Sequence, residues 1–139
     1  MSDRVRVYVE ETGESPFAVR IETGGHVLVG DESAATGGAD LGPAPYQMLT
    51  AALGECTSMT VRWYARQQGW PLEQVLVEVT HEKGEVEGRT GKVDMFHKIV
   101  AIRGDELTEA QRLKLLDVAA KCPVQRTLES NASIITTAR

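Results

Sequence analysis

Apolar and polar residues alternate from the start of the chain. Across Arg4–Glu10, Val5, Val7 and Val9 face one side, and Arg4, Arg6, Tyr8 and Glu10 the other. That is the period of a half-buried strand. Thr12–Pro16 supplies turn residues, and Phe17–Glu22 alternates again on Phe17, Val19 and Ile21. Gly24-Gly25 reads as a two-residue hairpin turn, with His26–Gly30 as the returning strand. The opening third is therefore an antiparallel three-stranded meander. Asp31–Pro45, rich in Gly, Ala, Ser and Pro, is a loop, either the rim of a pocket or a plain connection.

The period changes at Pro45. Pro45–Gly69 predicts one long helix: proline suits a first helical position, and Gly69-Trp70-Pro71 is a stop signal. At ~1.5 Å per residue it is about 35 Å long. Its first half (Met48, Leu49, Ala51, Ala52, Leu53, Gly54) is apolar or small all round, the mark of a buried helix. Leu49, Leu53, Cys56, Thr60 and Trp63 share a face, whereas Glu55 points about 100° away from Cys56. Arg62 and Arg66 form a solvated or interface-facing basic stripe.

Beyond the helix, Gln74–Glu82 is a strand with Val75, Val77, Val79 and His81 on one face. Lys83–Lys92 is a glycine-rich turn, and Val93–Arg103 returns with Val93, Met95, His97, Ile99 and Ala101 on one face. A hairpin centred near Arg89 sets His81 opposite His97. Thr108 and Gln111 make a capping-box pattern. It opens a helix over Glu109–Lys121 that turns Leu113, Leu116, Ala119 and Ala120 to the core, with Arg112 and Lys114 outside. Pro123 ends it. Val124–Ser130 predicts a last helical turn or two, and Ala132–Thr137 a final strand. The order βββ-α-ββ-α-β with segregated helices is α+β.

Composition narrows the class. A chain of 139 residues suits a single domain over 1–139, large enough to bury roughly 68% of its unfolded surface without staples. A net charge of −5 and the lack of any basic run argue against nucleic acid. The N-terminus is strand-like rather than a leader, and Glu55 and Arg62 interrupt the most apolar stretch. A soluble, cytoplasmic protein without a membrane span is expected. His26, His81 and His97 are scattered and no CxxC occurs, so no metal site is expected.

Chemistry rests on Cys56 and Cys122. In a reducing compartment two thiols are inert core residues, a redox pair or a coincidence. Cys56 on a helix of small apolar residues suits a buried thiol acting as a small hydrophobe. To be reactive it needs a cation brought by the fold, because mid-helix it is far from the first-turn amides. Cys122, at a helix exit, is placed to reach a thiol on a packed neighbouring helix. Nothing in the sequence sets the Cα–Cα distance of roughly 4.4–6.8 Å that a disulfide needs.

The run GPAPYQMLTAALGEC (Gly42–Cys56), continuing TSMTVRWYARQQGW, resembles the central helix of the OsmC/Ohr family. KCPVQRTLES (Lys121–Ser130) is similar to that family's second cysteine segment, and the cysteine spacing and element order also match. The resemblance implies an intertwined homodimer in which sheets from both chains wrap two long central helices. It implies that Cys56 attacks an organic or fatty-acid hydroperoxide and that Cys122 resolves the sulfenic acid as a disulfide. It implies no bound cofactor, and an external dithiol of lipoyl type as reductant. Where the peroxidase branch carries the glutamate of an Asn-Pro-Glu motif, this chain has Tyr46. Arg20 is the nearest candidate for the arginine which that glutamate orients, and Tyr46 and Glu55 are further supporting candidates. The departure keeps open a second class, a redox-linked or apolar small-molecule binding protein of the same fold with weak or no turnover.

Overall fold

A computed structural model describes residues 4–139. The readings that involve residues 1–3, including that of the leader, lie in part outside the described residues. The chain divides into two compact units, one running to Leu49 and the other from Thr50 onward.

The first unit carries an antiparallel sheet in the order β1-β2-β3, with β1 Tyr8–Glu11, β2 Val19–Thr23 and β3 His26–Gly30. Val9 pairs with Ile21, and Ile21 with Leu28. Gly24 and Gly25 take φ of 56° and 79°, the left-handed pair that a twist-matched two-residue hairpin requires. The first strand begins at Tyr8 rather than at Arg4, and it is exposed throughout rather than half-buried. Its ladder starts where β2 supplies partners, and alternation alone did not reveal that limit. The following loop is organised on a single carboxylate. Asp31 Oδ1 accepts from Ser15 Oγ (2.8 Å) and the Glu32 N–H (2.8 Å), and Oδ2 from the N–H groups of Ala39 (3.0 Å) and Leu41 (3.3 Å). Burial pushes this carboxyl up, but the four hydrogen bonds outweigh it and hold it below the usual carboxylate range. Gly38 is required here, because a Cβ would lie 2.1 Å from the Glu32 carbonyl oxygen.

Helix α1, Pro45–Gln68, begins in the first unit and supplies the central element of the second. Gly69 closes it at φ 69°. The buried line is Leu53, Thr57, Val61 and Ala65, one residue per turn. Against expectation, the apolar first half is not buried all round: Ala51 and Ala52 are exposed, as are Met59 and Trp63 further on. Arg62 is no free stripe; its guanidinium donates to the carbonyls of Leu72 (2.7 Å) and Glu73 (3.0 Å) and pins the connection that follows.

Strands β4, Gln74–Glu85, and β5, Lys92–Arg103, form a long antiparallel hairpin. Val75, Val77, Val79 and His81 lie on its more buried face, as expected. The register pairs His81 with Phe96 and Thr80 with His97, one residue from the expected pairing, so the two histidines are on opposite faces. The same one-residue difference reverses β5. Phe96, Lys98, Val100 and Ile102 turn inward, and His97, Ile99 and Ala101 outward. His81 Nε2 instead lies 2.9 Å from Asp94 Oδ1.

Helix α2, Glu109–Ala119, has the capping box in both directions: Thr108 Oγ1 accepts the Gln111 N–H (3.1 Å), and Gln111 Oε1 accepts the Thr108 N–H (3.0 Å). Its buried residues are Leu115 and Ala119, whereas Leu113 and Leu116 are 59% and 42% exposed. Ala120 is exposed too. The phase is set by Arg112, which turns inward to donate to the carbonyls of Ile102 (2.7 Å) and Gly104. Val61, Ala65, Leu72, Leu107, Leu115 and Ala119 make the core of this unit. After helix α3, Pro123–Glu129, residues 132–137 form no strand, and Ile134 and Ile135 are exposed. Among the described residues the segment has no partner in either sheet and so lacks the cross-strand pairs that stabilise a strand. No helix among the described residues is long and apolar enough to cross a membrane.

Candidate functional site

Two sulfurs meet at the first turn of α3. Cys56 lies on α1 one position before Thr57, so it sits at the edge of the buried line, half exposed. Its Sγ accepts the Val124 N–H at 3.5 Å and lies 3.9 Å from Thr60 Oγ1. Cys122 is fully buried; it is the N-cap of α3, with Pro123 at the first helical position. Its Sγ accepts the Gln125 N–H at 3.4 Å.

Cys56 opens to a cavity, whereas Cys122 has no exposed surface. A cleft of about 610 Å³ is lined by Ala52, Glu55, Cys56, Met59, Trp63 and Val124 among others, mostly apolar surface. Glu55 stands on its wall, roughly 100° around the helix from the sulfur.

Cys122 has a polar surround that the sequence reading missed. Thr57 Oγ1 lies 3.6 Å from its Sγ and also donates to the Leu53 carbonyl at 2.8 Å. Lys98 Nζ donates to Thr57 Oγ1 (3.0 Å) and to the Ala119 carbonyl (2.5 Å). Burial pushes the Cys122 thiol up. Hydrogen bonds from Thr57, from the Gln125 amide and from Cys56, together with the Lys98 charge, outweigh it and bring the thiol below its ordinary value. Burial in turn lowers Lys98, against the charges of Cys122, Cys56 and Glu129, which raise it. A lysine alternating with Phe96, Val100 and Ile102 was the available signal, and it became visible once the β5 register was known.

The structure therefore brings Cys56, Cys122 and Glu55 together within the second unit. Arg20 and Tyr46 belong to the first. Arg20 lies in β2 with its guanidinium 2.6 Å from Glu22 Oε1, and Tyr46 is in the first turn of α1, half exposed. Among the described residues no three His, Cys, Asp or Glu side chains converge as a metal site would need.

No curated protein matches the chain. Solved structures do. An OsmC-like protein from Mycoplasma pneumoniae is 18% identical, over 93% of this chain and 89% of that one, with a TM-score of 0.68. An organic hydroperoxide resistance protein OsmC from Legionella pneumophila is 19% identical, over 94% and 93%, at 0.67. An organic hydroperoxide resistance protein from Elizabethkingia anophelis with thiocyanate bound is 15% identical, over 94% and 91%, also at 0.67. At these identities the likeness is one of fold. The family model described as OsmC-like protein matches residues 37–137, a span that includes α1, both cysteines and the second unit up to residue 137. The chain belongs to the OsmC-like protein family.

Proposed function

We propose that the chain reduces organic hydroperoxides with Cys56 and Cys122. The observation that carries this reading is the pair itself: one sulfur opens to an apolar cleft, and the other is buried beside it on the same turn of α3. The Cys56 thiolate attacks the terminal oxygen of the O–O bond, which breaks, and the alkoxide leaves as the alcohol after taking a proton. Cys56 is then a sulfenic acid. Cys122 attacks its sulfur, the S–O bond breaks, and a disulfide forms with release of water. A small dithiol of lipoyl type restores both thiols by exchange. Relatives of this fold are named organic hydroperoxide resistance proteins, which supports the substrate class. The exposed Ala52, Met59 and Trp63 beside Cys56 favour a second copy of the chain as the partner that completes the cleft.

A second reading, an apolar small-molecule binder with slow thiol chemistry, is favoured by Tyr46 in place of the family glutamate and by Arg20 already paired with Glu22. Stopped-flow mixing of the reduced protein with one equivalent of cumene hydroperoxide separates the two. Rapid loss of both thiols, abolished in Cys56→Ser, is the peroxidase result. Loss no faster than that of a free thiol, with an apolar molecule co-purifying, gives the binding reading the lead.

A further inference from the structure

Lys98, half-buried on β5, is joined to Cys122 through Thr57, and the two-cysteine cycle as written leaves it without a task. We propose that Lys98, acting through Thr57, is the positioning residue that keeps Cys122 as a thiolate, ready to attack oxidised Cys56. The inference rests on the peroxide-reducing reading for the identity of the oxidant only.

Lys98 could have reached solvent, and its place in the fold shows why it stays. Its ammonium sits at the C-terminal end of α2, on the carbonyl of Ala119, the last residue of that helix. A helix C-terminus leaves its final carbonyls without partners and carries partial negative charge, so it holds a cation there. A second ammonium N–H is then spent on Thr57 Oγ1. Thr57 has a single hydroxyl hydrogen and two acceptor sites. When Cys122 is a thiol, that hydrogen goes to the Leu53 carbonyl and the S–H donates to Oγ1. When Cys122 is a thiolate, the hydroxyl hydrogen turns to the sulfur, while the lysine bond to Oγ1 polarises the hydroxyl and strengthens the donation. The groups that face Cys122 are Lys98 on β5, Cys56 and Thr57 on α1, and the Gln125 amide on α3; Glu129 acts on Lys98 from α3. Lys98 is the only cation among them. The net lowering of the thiol agrees with this geometry.

The chemical consequence concerns the second step. Cys122 is fully buried and so does not meet the hydroperoxide itself. Its lone pair forms the S–S bond with Cys56 Sγ, the S–O bond of the sulfenic acid breaks, and hydroxide leaves into the open cleft and takes a proton from solvent. A pre-formed thiolate makes this step fast and limits the time in which excess peroxide can carry Cys56 on to the sulfinic acid.

The chain has two cysteines, so in Cys56→Ser the thiolate absorbance near 240 nm reports Cys122 alone. The expected result is that adding Lys98→Met moves this titration to higher pH by about one pKa unit, with a severalfold loss of thiolate near neutral pH. Lys98→Arg restores most of it. Thr57→Val, which keeps the shape and removes the hydroxyl, moves the curve in the same direction by less. In the chain with both cysteines, Lys98→Met slows disulfide formation severalfold near neutral pH, following the loss of thiolate. A dimedone-type trap then captures the sulfenic acid on Cys56. Coincident titration curves with and without the lysine, in folded protein, overturn the inference even if the peroxide cycle stands. If the wild type forms neither sulfenic acid nor disulfide, the peroxide reading fails, and the titration alone decides the role of Lys98.

Discussion

Around Cys56 the fold supplies one backbone N–H, a distant threonine hydroxyl and an open apolar cleft; around Cys122 it supplies a threonine, a backbone N–H, a lysine and no solvent at all. Both sulfurs lie against the first turn of α3, yet one opens to the cleft and the other is fully buried beside Thr57, with Lys98 behind it. In the proposed cycle both sulfurs react as thiolates; Cys56 must in addition be accessible to a bulky hydroperoxide, whereas Cys122 has only to reach a sulfenic acid already in place.

The comparison can be broken by substitution, and the largest effects are expected where it is sharpest. Cys56→Ser should abolish peroxide-driven thiol loss entirely, measured by thiol titration after one equivalent of cumene hydroperoxide. Cys122→Ser should still react but stop at the sulfenic acid, seen as a gain of one oxygen in intact mass. Next in size is the severalfold slowing of disulfide formation in Lys98→Met near neutral pH, which follows the loss of Cys122 thiolate.

Outside the thiol pair, Asp31 offers a contrast: a buried carboxylate held by four neutral donors, the Ser15 hydroxyl and the N–H groups of Glu32, Ala39 and Leu41. Because its folded pKa is depressed, its stabilisation is present above the unfolded value near ~3.9 and is lost as pH falls through the folded value. The thermal unfolding temperature should therefore fall below about pH 4 in the wild type. In Asp31→Asn this acid dependence should flatten, and the Ala39 and Leu41 amides should lose hydrogen-exchange protection. The smallest effect expected is that of Thr108→Ala, which removes half of the capping box on α2 and should cost about 1 kcal/mol in denaturant unfolding.

Local signals in the sequence were sufficient where one residue type admits one backbone solution. Pro45 and Gly69 bounded α1, Gly24-Gly25 fixed the first hairpin, and Thr108 with Gln111 marked the start of α2. The errors came where two faces were equally apolar. Strand β5 carries Val93, Met95 and Ile99 on one side and Phe96, Val100 and Ile102 on the other, so period alone could not choose. A one-residue register then hid Lys98. In α2 the phase depended on the inward turn of Arg112, a tertiary contact, rather than on the leucine spacing. The site was legible to the same extent. Both cysteines stand out in the sequence, but Thr57 and Lys98 become site residues only when α1, β5 and the end of α2 converge.

The pairing of the two sulfurs is tested most directly by peptide mapping of the wild-type protein after one equivalent of cumene hydroperoxide, under non-reducing conditions. The account predicts one disulfide joining the Cys56 and Cys122 peptides of the same chain, reversed by a dithiol. Recovery of both cysteines as free thiols, or of Cys56 as a sulfinic acid with Cys122 still reduced, would contradict it.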